Sequence, residues 1–540
     1  MSVKQLETDQ PRMRRSVGFY GLMFVSLGSI IGSGWLLGAL KAAKVAGPAS
    51  LLSWVLTALI MATLALIHAE LGAAYPAAGG TARFPLLAYG LVGGFVGGWV
   101  AWLQAVALAP VEVEASLEYL DNIGWIKNNL NLLTPGGTLT AGGFGWATLL
   151  MAVFTLINLV GVKLLSESNG ATVIWKTAVP LLTIVVLLAL RFHPGNFSAG
   201  GFAPGGAHGV FAALPVGVVF ALQGFEQAVQ VGGEARNPQR DISRAIITAM
   251  VIGTIIYLLL EVVFIGALDP GAIAHGWDNP IDKGSFGPYA TLATLAGAGW
   301  LAYILYADAF VSPAGTGLLY LGTSSRLSYA MGQDKMLPRT LGKLSVRGVP
   351  VWSIALSFVV GEIMFLPFPS WQSLVTVITS ATAIMYAFAP VAMIALRKRD
   401  PDRPRPYRAP VPKVLAPAGF VAANLVIYWS GFDVTWKIVL AILIGFALFL
   451  GGRRTVPAAD RPAVDWKAGL WIGPWLGGQV LIGYLGRYGA SGNIKALPEW
   501  TDLLVVIAFS LAIFYWAVSL AMDSDKVKAA VEREATELAA

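Results

Sequence analysis

The side chains that could do chemistry here are ionisable groups embedded in apolar sequence. Lys176 lies within the apolar run 168–190, Glu226 within 209–231 and Asp308 within 289–321. A charged group at the centre of a bilayer costs at least about 2.5–3.5 kcal/mol, so each of the three marks a functional site by default. Asp308, Ser312 and Thr316 follow at i, i+4 and i+8 and share one helical face. Pro180 follows Lys176 by four residues and has no N–H to offer the carbonyl of residue 176, which leaves a bend and a free acceptor beside the amine. An amine held in low dielectric can lose its proton, so Lys176 is a candidate proton site. Glu226, Asp308, Ser312 and Thr316 are the other candidates for proton coupling.

Other chemistries lack their parts. With zero cysteines there is no disulfide, thiolate nucleophile or thiolate metal site. The four histidines (His68, His193, His208 and His275) have no ligand spacing. No His-Glu-x-x-His, no Gly-Lys-Ser/Thr and no paired intramembrane aspartates occur. The expectation is a chain that is not an enzyme and uses no metal or cofactor.

The elements that hold these residues follow from composition. Of 540 residues, 56% are hydrophobic and 12% charged, about half the charge of a soluble domain. That is a polytopic membrane protein. About 20 apolar residues span a bilayer, and fourteen spans are expected: 17–40, 48–72, 88–117, 144–164, 168–190, 209–231, 243–267, 289–321, 350–368, 372–396, 412–430, 434–451, 468–486 and 501–522. With residue 1 inside, alternation puts most of the 37 Lys and Arg in cytoplasmic loops and tails. The net charge of +7 therefore reflects topology and not nucleic acid. This predicts two cytoplasmic termini in a cell membrane protein without a signal peptide. The basic stretch 397–413 sets topology and touches anionic lipid. Glu112 and Glu114, near the outer end of span 3, read as a solvated acidic vestibule, and Glu70 as a residue orienting an inner loop.

Two spans are irregular. Span 1 carries Gly28-Ser29-Ile30-Ile31-Gly32-Ser33-Gly34, and span 6 carries Phe220-Ala221-Leu222-Gln223-Gly224-Phe225-Glu226. Each glycine weakens a helix by about 1 kcal/mol relative to alanine, and unwound backbone at membrane depth must line a cavity or be buried in protein. Breaks five spans apart point to an inverted-repeat transporter with a midplane site. The N–H groups of Ser33 and Gly34 would open the second half of span 1, whose positive end attracts a carboxylate. Gly32 supplies the break. The carbonyls of Ile30 and Ile31, with those of Phe220, Ala221 and Gln223 beside Gly224, would face an ammonium. Phe220 is the expected gate. The chain then divides into a tail 1–16, repeats 17–191 and 206–396, a linker 397–411, accessory spans 412–522 and a tail 523–540.

The span 1 run resembles the signature of the amino acid–polyamine–organocation (APC) superfamily. The resemblance extends to Ala69-Glu70-Leu71-Gly72-Ala73-Ala74-Tyr75-Pro76, Asn158-Leu159-Val160-Gly161-Val162-Lys163, the segment Gly233–Asp241 and Ser325-Arg326-Leu327-Ser328-Tyr329-Ala330-Met331. Gly34-Trp35-Leu36 and Val111–Ala115 are most similar to the aspartate–proton symporter branch. The resemblance implies an all-α fold of two inverted five-helix repeats (spans 1–5 and 6–10) with spans 1 and 6 broken, here with four additional spans. It implies a lysine at 176 where sodium-coupled relatives hold their cation, and a glutamate at 226. It also implies that span 8 packs beside span 5, so that the span 8 hydroxyls contact Lys176. The expected activity is proton-coupled symport of an α-amino acid by a monomer or homodimer. An amino acid–amine antiporter and a non-transporting sensor share the fold and stay open. No arginine in a span core is available to clamp a second substrate carboxylate, so the residues themselves do not select an acidic substrate.

Overall fold

A computed structural model describes residues 17–76, 79–160, 162–281, 287–345, 348–454, 457, 461–489, 491–498 and 500–539, with backbone alone for 162–169 and 534–539. The tail 1–16 with its arginines, Gly161 and the side chain of Lys163 lie outside the described residues. Every described element is helical apart from two isolated bridges. Nine helical stretches among the described residues are long and apolar enough to cross a membrane, and shorter apolar helices supplement them. The chain is an all-α multi-pass membrane protein.

Span 1 is two helices, Phe19–Ile30 and Gly34–Ala46. Span 2 is Ser50–Ala74, span 3 Arg83–Leu120, span 4 Ala141–Val160 and span 5 Val162–Leu190. Span 6 starts at Gly206–Ala212, passes through a wide turn at Leu214–Val218 that ends in Val219–Ala221, and resumes only at Gln227–Gln230. Span 7 is Pro238–Ala267, span 8 Gly299–Gln333, span 9 Val351–Met364 and span 10 Trp371–Arg399. Spans 11 to 14 are Pro412–Trp429, Phe432–Arg454, Ile472–Leu485 and Thr501–Leu520.

Elements five spans apart pack on each other. The second half of span 1 lies on the start of span 6, span 2 on span 7, span 3 on span 8 and span 4 on span 9. Two inverted halves sharing one interface produce that pairing.

The structure corrects the bounds of one span and adds detail to two other segments. Residues 289–321 are not one helix. Pro288–Leu295 ends at a turn through Gly297, whose φ of 75° breaks the helix, and span 8 begins at Gly299 and runs to Gln333. The tail 523–540 contains an amphipathic helix, Ser524–Ala539, with Val527 buried and Lys526 bonded to Asp465. The basic stretch after span 10 is not simply lipid-facing. Arg397 grips Glu70 with two donors, at 2.7 and 2.5 Å, and the Ala409 N–H gives Glu70 a further bond at 2.7 Å. Arg403 donates to the Ala74 carbonyl, and the Tyr75 hydroxyl donates to Asp400. A buried carboxylate needs such donors, and they pin the linker to the end of span 2.

Spans 11 to 14 cover the core. Span 11 packs on spans 10 and 2, span 12 on spans 10 and 3, and span 14 on spans 10 and 11. Trp471 and Trp475 close around Phe388 of span 10 and Phe420 of span 11. Spans 3 and 10 are consequently buried on nearly every side.

Candidate functional site

The helix of span 1 stops at Ile30, where Ile31 takes φ −89° and ψ 81°. It restarts at Gly34 with Ser33 as its N-cap. Close approach explains the glycine at 34. A Cβ there would stand 2.8 Å from the Ala221 Cα, because the two broken spans touch at that point. In span 6 the break centres on Gly224, whose φ of 113° is open to glycine alone.

The backbone groups freed by the two breaks find different partners. Glu226 caps its own break. It accepts from the Gly224 N–H at 3.0 Å, the Tyr386 hydroxyl at 2.5 Å and the Tyr320 hydroxyl at 3.3 Å. Ser26 of span 1 accepts from the Ala228 N–H and donates to the Phe225 carbonyl, tying the restarted span 6 to span 1. In span 1 the Gly28 carbonyl accepts from Lys176 at 2.5 Å and from Thr316 at 3.3 Å. The Ile30 carbonyl accepts from both the Tyr257 hydroxyl at 2.8 Å and the Gly32 N–H at 3.2 Å, and the Phe220 carbonyl accepts from the Gln223 N–H at 3.2 Å. The Ser33 N–H donates to Glu112 Oε2 at 2.9 Å.

Between the breaks lies a cavity of about 10 Å³. Ser29, Ile30, Gly32 and Gly34 line it from span 1, and Phe220 and Gln223 from span 6; Leu108 and Glu112 of span 3 and Tyr320 of span 8 complete it. Ile31, Ser33, Ala221 and Gly224 form the backbone just behind this lining. Two polar atoms aimed into the region, Glu112 Oε1 and Gln223 Nε2, are buried without a hydrogen-bond partner. Ser29 donates to the Tyr320 hydroxyl at 2.8 Å, and Tyr320 donates to Glu226, which links the cavity to the span 6 cap.

Behind span 1, the Lys176 ammonium bridges the Gly28 carbonyl and Thr316 Oγ1, at 2.5 and 2.6 Å. Ser312 does not join this bridge. It donates instead to Asp308 at 2.7 Å, and Asp308 also accepts from Trp35 and Trp175.

Sequence reasoning missed Glu112. It is 1% exposed and stands at the level of the span 1 break, not in a solvated vestibule. Span 3 kinks at Gly90, where φ is 66°, yet the part from Leu91 to Leu120 still has 30 residues, about 45 Å at 1.5 Å per residue and more than the roughly 30 Å hydrocarbon core. A helix that long must tilt or overhang, so distance from its apparent end is a poor guide to depth. The length of the apolar run was the available signal. Glu114 is also buried, and only Glu118 reaches the vestibule.

Two closures flank the centre. At one end a cavity of about 770 Å³ is lined by Lys41, Lys44, Lys127, Glu118 and Asp121, among others. Burial pushes the Asp121 carboxyl up. Lys41 pairs with Glu118 at 3.3 Å and lies over the Trp371 ring. Trp371 in turn donates to Ser33 Oγ and meets Phe220 edge-on at 5.8 Å. At the opposite end a cavity of about 170 Å³ lies among Arg83, Gln230, Glu234 and Arg326. Arg83 pairs with Asp334 at 3.0 Å, and Arg326 with Glu234 at 3.6 Å. Burial raises the Asp334 carboxyl against the pull of the Arg83 guanidinium.

Two discontinuous membrane spans thus meet at a small buried cavity, with ion pairs toward each end. A family model for amino acid permeases matches residues 17–450, and the chain belongs to that family. It is 36% identical over 525 residues to the glutamate/serine transporter AimA of Bacillus subtilis, covering 96% of each chain. It is 34% identical over 530 residues to the aspartate-proton symporter of the same organism, covering 96% of this chain and 99% of that one. A branched-chain amino acid permease of B. subtilis, BcaP, is 28% identical over 455 residues.

Proposed function

We propose that this permease carries a small α-amino acid together with a proton into the cell by alternating access. The observation that supports this reading is the cavity between the broken spans, with half-helix N–H groups on one side and backbone carbonyls of the two breaks on the other. Such ends attract a carboxylate and an ammonium respectively. The N–H groups of Ser33 and Gly34 take the substrate carboxylate. The carbonyls of Ile30, Ile31, Phe220, Ala221 and Gln223 take its ammonium, and Phe220 closes over it beneath Trp371. The relatives named for serine, glutamate and aspartate support a small substrate. The lining contains Ser29, Gln223 and Tyr320 but no cation to hold a second carboxylate, which favours a serine-sized neutral amino acid.

In this reading the Lys41 end faces outward and both termini are cytoplasmic. The protonated Lys176 holds span 1 against span 8 while the site is open outward. Loss of its proton to the cytoplasm breaks that bridge and lets spans 1, 2, 6 and 7 rock. Glu226, supplied with four donors, and Asp308, supplied with three, position the surrounding groups.

The test is uptake of radiolabelled L-serine by the purified chain in liposomes. Accumulation should follow an inward proton gradient and ignore replacement of sodium by potassium. A sodium requirement at symmetrical pH would overturn proton coupling. Exchange without net accumulation would make the protein an antiporter, and binding without transport a sensor.

A further inference from the structure

The positive end of the second half of span 1 is already occupied by a carboxylate of the protein itself. Glu112 reaches across from span 3 and accepts the Ser33 N–H, the same donor a substrate carboxylate needs. Its other oxygen, Oε1, is buried without a partner at the cavity. A buried carboxylate held through one oxygen alone is less well satisfied than Glu226, whose four donors are spread over both oxygens. Glu112 Oε1 and Thr316 Oγ1 converge on Gly32, where an added Cβ would lie 2.6 and 3.1 Å from them. Thr316 is itself bonded to Lys176. The Thr316 hydroxyl therefore lies on the side of Gly32 that Glu112 Oε1 also approaches, next to the ammonium.

We propose that Glu112 is a resident stand-in for the substrate carboxylate, and that its displacement by substrate is what ties proton uptake to amino acid binding. The proposal rests on the transport reading above. Two carboxylates cannot both occupy one buried half-helix end while charged, since their repulsion in low dielectric is unscreened. When the substrate carboxylate bonds the Ser33 N–H, Glu112 gives it up and takes one proton from the outer solution. The neutral carboxyl can then donate to Thr316. Lys176 then releases one proton to the cytoplasm, its bridge to span 1 breaks, the bundle rocks and the substrate leaves. Glu112 hands its proton through Thr316 to the neutral amine, and the Lys176 bridge and the Ser33 bond form again. One proton enters with each substrate and one leaves.

The titratable and charged groups facing Glu112 fit this sequence. Lys176 comes from span 5, Tyr257 from span 7, Tyr320 and Asp308 from span 8, and Glu226 from span 6; Glu114 and Glu118 lie on span 3 itself. Lys176 is the cation among them, and Asp308 and Glu226 are already supplied with donors.

The experiment is calorimetry of L-serine binding to the full, detergent-solubilised chain in buffers of different ionisation enthalpy. The wild type should take up close to one proton per L-serine, and its affinity should fall about tenfold per pH unit at alkaline pH. Glu112→Gln should bind L-serine with no proton uptake and no pH dependence, because an amide can leave the helix end without a proton. Lys176→Arg should keep both the uptake and the pH dependence of binding. A substrate-induced infrared difference spectrum of the unmodified chain should gain a protonated-carboxyl band. Wild-type binding without proton uptake, absence of that band, or a Glu112→Gln variant with wild-type proton uptake would each overturn the proposal and leave the transport reading intact. Failure of the wild type to bind L-serine, L-glutamate or L-aspartate would instead remove the transport reading.

Discussion

The two breaks lie side by side yet are closed in opposite ways. Span 6 seals its own gap, since Glu226 returns to the Gly224 N–H and draws in Tyr386 and Tyr320. Span 1 does not. Its free groups are met by side chains from spans 3, 5, 7 and 8, namely Glu112, Lys176, Tyr257 and Thr316. A break closed from within is a fixed part of the fold. A break closed by other helices opens whenever those helices move, which is what a gate requires.

Six substitutions at five positions probe that difference. The largest effect is expected at the point where the breaks touch. Gly34→Leu forces a side chain into Ala221, and Gly32→Leu forces one into Glu112 and Thr316. Each should cut L-serine affinity by about 100-fold or more, since displacements of 1 Å at a site cost that much. Isothermal binding to monodisperse protein measures it, and micromolar affinity retained in both variants would move the site elsewhere. Next comes Lys176. Lys176→Ala should abolish accumulation against a gradient while leaving exchange, and Lys176→Arg should stop both, as gradient-driven and exchange fluxes in proteoliposomes will tell. Concentrative uptake at the native rate by Lys176→Ala would leave the lysine a structural role alone.

Glu226→Gln should act on stability more than on coupling. It puts an N–H against donors that need an acceptor, a loss of about 1.5–3 kcal/mol for a charged hydrogen bond, seen as a lower unfolding temperature. Its proton dependence of uptake should match the wild type; a flattened dependence would make the two breaks alike. Phe220→Ala is the mildest. The edge-on contact with Trp371 is worth about 0.5–1.5 kcal/mol, so affinity should weaken up to about tenfold and release toward the Lys41 end should quicken.

Much of this was legible along the chain. The spans were visible as apolar runs, the two breaks as glycine clusters, and Lys176 as a lone cation in lipid-like sequence with Pro180 behind it. The start of span 8 was not, because Gly297 is a single residue in an unbroken apolar run and hydropathy does not register one φ angle. Glu112 was misjudged for a similar reason, since depth depends on the tilt of span 3, which its neighbours set. The linker arginines resembled a lipid-facing patch because their partners, Glu70 and the Ala74 carbonyl, lie more than 300 residues away.

The sequence by itself determined which segments enter the membrane, where two of them break and which charges must be sheltered there. Those follow from transfer free energies and backbone propensities, which act on neighbours in the chain. Only the tertiary structure decided who shelters them. Ser33 meets Glu112 across 79 residues and Lys176 meets Gly28 across 148. Hydrogen bonds need partners within about 3 Å, and side chains that far apart in sequence come so close only once the helices have packed.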